Sequence, residues 1–205
     1  MSEEKYLQDL KEIRVMMSKS SRFISLSGLS GVSAGVIALL GAAIAYKVVY
    51  TDVNFTARGY AIANDAQLFN LLGIALLTLL VALLSALFFT RRKTKKAGEK
   101  MWSSPVKSLL ANLFIPMAIG GMVCLYFFTQ GYIALLAPFT LIFYGLALLN
   151  ASKYTLKEIK SLGIAQAVLG LFSLYFLGYG LLFWAVGFGV LHIVYGTIMH
   201  FRYQE

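Results

Sequence analysis

The sequence has no charged residue inside any of its long apolar stretches, and this absence excludes several classes of function. All nine acidic residues and all eighteen Lys and Arg residues lie outside these stretches. Charges among membrane helices are the usual mark of proton relays, ion-coupled transport and voltage sensing. Proton pumping and carboxylate-based cation coupling are therefore disfavoured. Membrane hydrolases and lipid-phosphate transferases are disfavoured too, because they need acids, His pairs or metals.

One cysteine and two histidines leave little material for redox or metal chemistry. Cys124 has no second cysteine to pair with, which excludes an internal disulfide. A b-type haem usually takes one His from each of two helices, whereas His192 and His200 lie on one helix, about 12 Å apart along its axis. We therefore expect no haem, no other cofactor and no metal, and the sequence identifies no catalytic residue.

The chain is also short of charge overall. Only 13% of its 205 residues are charged and 59% are hydrophobic, with a mean hydropathy of +0.75. A soluble domain has about 25% charged residues. The net charge is +9, but the basic residues form short clusters beside apolar stretches, so nucleic acid is not an expected partner. The first apolar stretch is too long for a cleavable signal peptide.

Six apolar stretches are long enough, or nearly so, to cross a membrane. A helix needs about 20 residues to span a hydrocarbon core of about 30 Å. The fifth stretch is the shortest, but Thr155-Leu-Lys-Glu158 has a capping-box pattern that would begin its helix earlier. The expected fold class is therefore all-α, a polytopic bundle of six transmembrane helices. The stretches cover residues 24–46, 68–89, 109–128, 132–150, 162–178 and 181–199.

The distribution of basic residues predicts the orientation of the bundle. Residues 91–107, expected to form a loop, contain seven Lys and Arg and one acid, Glu99. Positive charge beside membrane spans stays on the cytoplasmic side. With both termini in the cytoplasm, 16 of the 18 Lys and Arg residues lie on the cytoplasmic side of the membrane. The residues expected to contact anionic lipid headgroups are Arg91, Arg92, Lys93, Lys95 and Lys96.

Residues 1–22 are expected to form a cytoplasmic amphipathic helix. Leu7, Leu10, Ile13 and Met17 recur at spacings of three and four residues, which places them on one face. This helix either lies on the inner membrane surface or docks a cytoplasmic protein or a second copy of the chain. Membrane lipid, a cytoplasmic partner and a homo-oligomer are thus the partners that the sequence allows.

Residues 23–205 then form the membrane domain, in which a weak repeat is visible. Leu125-Tyr-Phe is echoed by Leu174-Tyr-Phe, and neighbouring aromatic and glycine pairs recur at similar distances. Such a repeat indicates either three in-out-in hairpins or chance, because aromatic residues and glycines are common in membrane helices. Pro116 and Pro138 are expected to bend the third and fourth spans, which would either open a cavity or fit the curvature of the bundle.

Uncharged residues within the spans are the candidates for packing and ligand binding. Small residues of the first span share one face, where another helix can approach closely. They are Ser27, Gly31, Gly35, Ala38 and Ala42. The polar side chains expected to contact a ligand are His192, Tyr195, Gln166, Tyr144, Tyr126 and Tyr175. His192 lies near the middle of its span, where it is either a ligand contact or a neutral imidazole bonded to Tyr, Ser or a carbonyl.

The stretch RFISLSGLSGVSAG, residues 22–35, resembles the start of a group of small bacterial inner-membrane proteins without an assigned activity. The resemblance implies a location in the bacterial inner membrane and no catalytic residues. The sequence favours a non-enzymatic receptor or regulatory protein that binds a small apolar or amphipathic ligand or lipid, a cytoplasmic partner, or both. The alternative is a small transporter or channel for a neutral solute. An enzyme acting on lipid ranks last.

Overall fold

The computed structural model describes Phe23 and residues 26–50, 65–98 and 102–203, and these ranges contain helices and no strand. The expected helix in residues 1–22 lies outside the described residues. The α-helices are α1 Gly28–Ala45, α2 Asp65–Lys96, α3 Ser104–Thr129, α4 Leu136–Ala151, α5 Lys157–Tyr175, α6 Gly180–Trp184 and α7 His192–Arg202. One π-helical segment, Tyr46–Tyr50, extends α1, and another, Ala185–Leu191, joins α6 to α7. Short 3₁₀ turns at Ile133–Leu135, Ser152–Tyr154 and Leu177–Tyr179 precede α4, α5 and α6.

Five helical stretches in the described ranges are long and apolar enough to cross a membrane, which is compatible with an integral membrane protein. They are Gly28–Val48, Ala66–Lys96, Ser104–Thr129, Ile133–Tyr154 and Leu177–Arg202. The all-helical class is thereby confirmed, together with five of the six stretches. The fifth predicted span corresponds to α5, which is not among them, since Lys157, Glu158 and Lys160 begin it and Gln166 lies near its middle. A crossing by α5 stays a prediction.

The described part of the basic segment at residues 91–107 is mostly helical, whereas a loop was expected. α2 continues to Lys96 and has 32 residues, or about 48 Å at 1.5 Å per residue, so it is longer than the hydrocarbon core. Gly98 has a φ of +68°, a conformation that suits glycine at the end of a helix. α3 then begins at Ser104 with a proline in its first turn. Five of the seven basic residues of this segment therefore lie on the last turns of α2, and Lys107 lies in α3.

The helices pack in two groups that leave one side of the bundle open. α1 packs against α2 and also against α7 with the π-helical segment before it, while α4 packs against both α3 and α5. α5 and α6 connect the groups, since α5 contacts α7 and α6 contacts α4. α2 and α3 follow each other in the chain but do not pack extensively together. The opening lies between them.

Glycines allow α4 and α5 to meet backbone to backbone. A Cβ atom on Gly145 would lie 2.6 Å from the backbone nitrogen of Ala167, and one on Gly163 would lie 2.9 Å from the carbonyl oxygen of Gly145. Membrane helices associate by close packing, because lipid offers no hydrophobic drive between them. The α4–α5 pair is therefore the closely packed side of the bundle.

The same kind of contact joins α1 to the last helix. A Cβ atom on Gly31 would lie 3.1 Å from Gly196 Cα, and one on Gly35 would lie 2.6 Å from the Gly189 oxygen. The small residues singled out on α1 thus lie against α7 and the π-helical segment, or are buried nearby. The buried ones are Ser27, Gly35, Ala38 and Ala42.

Two local predictions about α4 and α5 are wrong. Pro138 is the third residue of α4, in the first turn, where its missing N–H has no partner to lose, so it does not bend the helix. Pro116 does lie inside α3. The capping box before α5 does not form, because the Thr155 hydroxyl donates to the Phe23 carbonyl at 2.9 Å. Glu158 is instead engaged by residues at the end of α7.

Candidate functional site

The open side of the bundle is a cleft of about 830 Å³ between α2 and α3. Pockets for small molecules typically measure about 300–1,000 Å³. The walls are mainly apolar, with Leu79 and Leu83 on α2 and Leu113 and Met117 on α3. A second cavity of about 330 Å³ adjoins the cleft. The residues that line both are Ala75, Thr78, Gly121, Cys124, Thr140 and Trp184.

The wall formed by α2 is attached to α1. The Ser85 hydroxyl donates to the Ser33 oxygen at 2.8 Å, and Gly41 lies against the side chain of Thr78. Across the cleft, α2 exposes long aliphatic side chains, and no residue in the most apolar part of the helix is buried. The position of α2 is thus set from one side only.

The wall formed by α3 is attached to α4. The Asn150 side-chain amide donates to the Asn112 carbonyl at 3.0 Å, and Gly120 lies directly against the ring of Phe143. The two walls are therefore held by different helices, and the width of the cleft depends on how those two groups of helices are arranged.

A cluster of uncharged polar groups lies among α4, α5 and the last helix. The Tyr144 hydroxyl is 2.8 Å from His192 Nε2, and His192 Nδ1 is 3.0 Å from the Gly187 oxygen. A carbonyl oxygen only accepts, so Nδ1 carries the proton and Nε2 accepts from the tyrosine. Gln166 Nε2 donates to the same carbonyl at 2.8 Å. The 3.5 Å contact between Gln166 Nε2 and His192 Nδ1 joins two donors and is not a hydrogen bond.

The π-helical segment Ala185–Leu191 makes this arrangement geometrically accessible. Gly187 has no side chain, and a Cβ atom there would lie 2.6 Å from Gln166 Oε1. Glycine thus lets the Gln166 amide reach the backbone of the neighbouring helix. π-helical turns of this kind occur frequently at functional sites.

Two oxygens on α5 have no hydrogen-bond partner among the residues that the structure describes. They are Gln166 Oε1 and Ser173 Oγ, and both side chains are fully buried. They are seven positions apart, so they lie on one face of α5, about two turns from each other. An unpaired buried acceptor costs about 1–3 kcal/mol, so this face has more hydrogen-bonding capacity than the described residues use.

Aromatic rings stack around His192. The ring centroids of Tyr144 and His192 are 5.4 Å apart, and those of Phe188 and His192 are 5.9 Å apart with planes inclined by 14°. Trp184 continues the row at 4.9 Å from Phe188. All four residues line the cleft. The floor of the cleft therefore presents flat rings beside one polar pair.

The structure brings together three of the six polar residues singled out in the sequence, His192, Gln166 and Tyr144. Tyr195 also lines the cleft. The side chains of Tyr126 and Tyr175 are exposed, at 59% and 85%, and neither lines a cavity described above.

Sequence reasoning missed the row of aromatic rings on the floor of the cleft. Trp184, Phe188 and His192 follow one another at intervals of four residues, a spacing that places side chains on one face of a helix. That regularity was the available signal for the row of rings.

A second polar cluster, which is charged, lies at the end of the bundle where α2 and α7 finish. Arg202 Nη1 is 3.0 Å from the buried carboxylate of Glu158, and the Tyr203 hydroxyl donates to the same carboxylate at 3.0 Å. Burial, followed by this carboxylate, raises the pKa of Tyr203 above its ordinary value. Lys93 Nζ donates to the carbonyls of Leu26 and Tyr203, each at 3.4 Å. The other four basic residues singled out on α2 are exposed: Arg91, Arg92, Lys95 and Lys96.

Within the described ranges, no group of three or more His, Cys, Asp or Glu residues is placed to hold a metal ion. No protein-family model, curated protein or solved structure matches this chain. Its function is therefore inferred from the geometry of the cleft.

Proposed function

We propose that this protein is a non-enzymatic inner-membrane protein that binds a lipid, or another small apolar or amphipathic molecule, in the cleft between α2 and α3. The observation that carries the proposal is an apolar cleft of about 830 Å³ between two helices that do not pack extensively together. A hydrocarbon chain could enter such a cleft from the bilayer without passing through water. The burial of apolar surface on both walls would favour its retention.

The proposal includes α5 as a sixth membrane crossing. α5 packs extensively against α4, and its 19 residues measure about 28 Å at 1.5 Å per residue, close to the thickness of the hydrocarbon core. Its polar residues Gln166 and Ser173 are fully buried, so they face protein and would not contact lipid. An even number of crossings leaves both termini on the same side of the membrane, and the charge asymmetry supports the cytoplasmic side.

The basic end of α2 would hold anionic lipid at the cytoplasmic mouth of the cleft. Four of its five basic side chains are exposed, and each Lys or Arg near an anionic surface contributes about 1 kcal/mol. Trp102, which lines the cleft, is 69% exposed next to this segment, and tryptophan favours the headgroup level. In the regulatory role, residues 2–22 would contact a cytoplasmic partner and signal to it whether the cleft holds a ligand.

The test is the recovery of bound lipid from purified protein, with one variant that fills the cleft and one that does not. Ala82 lines the cleft, whereas its neighbour Val81 does not line it and is 42% exposed. We expect native mass spectrometry to show a lipid or apolar ligand bound to the wild type and to Val81→Trp. Ala82→Trp should lose most of it. Equal retention by both variants, or a wild type that carries nothing, would refute binding in the cleft.

A small channel or transporter for a neutral solute is the second candidate. The observation in its favour is that the two cavities share lining residues from four helices, so together they extend along the bundle. Proteoliposomes should then admit small neutral solutes faster than protein-free liposomes, and Ala82→Trp should slow the flux. Liposomes that remain impermeable to a broad panel of solutes would exclude this function.

A further inference from the structure

We infer that the ligand of the cleft is an isoprenoid quinol, whose ring hydroxyl donates a hydrogen bond to the phenol oxygen of Tyr144. This inference rests on the proposed function, because it names the chemical class that the cleft accepts. It concerns binding alone. Three independent properties of the floor of the cleft support it: its hydrogen-bonding sense, its depth and its aromatic character.

The hydrogen-bonding sense of the site favours a ligand that donates. The Tyr144 hydroxyl hydrogen is directed to His192 Nε2, and the His192 Nδ1 hydrogen is directed to the Gly187 oxygen. Both hydrogens of the pair are therefore used within the protein. The remaining capacity is a lone pair on the Tyr144 oxygen. A ligand that only accepts, such as a quinone or an ester, could bond to Tyr144 only if the bond to His192 broke.

The depth of the site restricts the polar part of the ligand to a small, uncharged group. Tyr144 is the ninth of the sixteen residues of α4, so it lies about 12 Å from either end of the helix. Phospholipid headgroups remain at the surfaces of a hydrocarbon core that is about 30 Å thick. Charged groups are strongly disfavoured at this depth. An uncharged ring hydroxyl on an otherwise apolar molecule meets both conditions.

The aromatic character of the site favours a flat ring in that position. Phe188 and Trp184 lie beside Tyr144 and His192 in one row, with neighbouring centroids 4.9–5.9 Å apart. Offset stacking on such rings suits a planar head. The leucine-lined walls and the adjoining cavity of about 330 Å³ provide space for a long apolar tail. A neutral ring hydroxyl joined to a long apolar tail is the chemistry of an isoprenoid quinol.

The experiment measures how strongly the protein prefers the reduced to the oxidised form of one ligand. The chain has two tryptophans, Trp102 and Trp184, so a Trp102→Phe background leaves the fluorescence of Trp184, in the cleft, as the readout. This protein is titrated anaerobically in nanodiscs with a decyl-tailed benzoquinol and, separately, with the matching benzoquinone. We expect the quinol to bind about tenfold more tightly, the difference that one hydrogen bond supplies.

Two variants and one control test the assignment of the hydrogen bond. Tyr144→Phe should lower the affinity for the quinol to that for the quinone and leave the affinity for the quinone unchanged. Tyr179→Phe is the control, because this tyrosine is exposed and lines neither cavity, and it should keep the preference. His192→Leu frees the Tyr144 hydroxyl hydrogen to reach a quinone carbonyl. This variant should therefore remove the preference by raising the affinity for the quinone, whereas Tyr144→Phe removes it by lowering the affinity for the quinol. His192→Leu keeps the test decisive if Tyr144→Phe fails to fold.

The outcomes distinguish the ligand class from the cleft itself. Equal affinity for the two forms in the wild type, or a preference that survives Tyr144→Phe, would overturn the quinol assignment. If neither form binds while a lipid that is lost in Ala82→Trp still co-purifies, the assignment fails and the proposed function stands. If no lipid co-purifies and neither form binds, both fail.

Discussion

Two pairs of consecutive helices, α4–α5 and α2–α3, differ in how they meet. α4 and α5 touch through Gly145, Gly163 and Gly170, whose added Cβ atoms would overlap backbone atoms of the facing helix. In the other pair, Gly121 of α3 lines the cleft, and a Cβ atom on it would meet nothing within 4 Å. In lipid, helices close on each other where small residues let backbones approach. Long aliphatic residues face each other in the second pair, and a cleft remains.

The two sides also differ in where polar groups lie. The closed side buries Gln166 and Ser173 without exposure, next to the hydrogen-bonded pair of Tyr144 and His192. The open side exposes leucines and phenylalanines along α2 and α3. Polar groups thus lie where the helices are fixed, and apolar surface lies where a ligand could enter. The difference indicates that α4 and α5 fix the polar floor of the cleft, while α2 and α3 supply its apolar walls.

The largest effect on this difference should come from a side chain placed into the closed pair. Gly145→Leu would force α4 and α5 apart, since even a Cβ atom overlaps the Ala167 backbone. We expect a loss of about 3 kcal/mol or more in the free energy of unfolding, or a failure to fold. Gly121→Leu is the matched control on the open side and should change stability little. Thermal unfolding in detergent measures the stability of both variants. Equal stability would show that the two helix pairs do not differ in how closely they pack.

A smaller effect should separate two serines. Ser85→Ala removes the hydrogen bond that holds α2 to α1 and should destabilise the protein by about 1 kcal/mol. Ser173→Ala removes a buried hydroxyl without a partner among the described residues, so it should be neutral or slightly stabilising. Chemical denaturation in detergent compares the two variants. A destabilised Ser173→Ala would show that its hydroxyl has a partner that the described contacts do not include.

The smallest effect concerns the charged end of the bundle. The pKa of Tyr203 is raised by burial and by Glu158, so its contribution to stability is present below the ordinary tyrosine pKa of about 10 and is lost as pH rises through the higher folded value. We expect the unfolding temperature to fall above about pH 10. The fall should be shallower in Glu158→Gln, which lacks the carboxylate. At neutral pH that variant should lose about 1 kcal/mol or less, because Arg202 is largely exposed. Parallel pH profiles in the two proteins would contradict this assignment.

The sequence predicted the helical class and most of the helices because these depend on apolar length. It also singled out His192, Gln166 and Tyr144, since uncharged polar residues within apolar stretches are few. The pairing of these residues was not predictable, because it depends on the π-helical segment Ala185–Leu191, which has no sequence signature beyond its glycines. The capping pattern at Thr155 and Glu158 failed because tertiary partners took both side chains.

The cleft itself could not be predicted from sequence. It arises because α2 packs on α1 and α3 packs on α4, an arrangement set by contacts such as Ser33–Ser85 and Asn112–Asn150 that lie far apart in the chain. The apolar pattern of α2 would suit a fully lipid-exposed helix equally well. Tyr126 and Tyr175 resembled the polar residues of the cluster in sequence, yet their positions on exposed faces depend on the same packing.

The cleft between α2 and α3 is tested most directly by an experimental structure of the protein in a lipid nanodisc. The expected result is elongated non-protein density between Leu83 and Leu113, ending beside Tyr144, with α2 and α3 separated along its length. α2 packed closely against α3, with no space between Leu83 and Leu113, would contradict binding at this site.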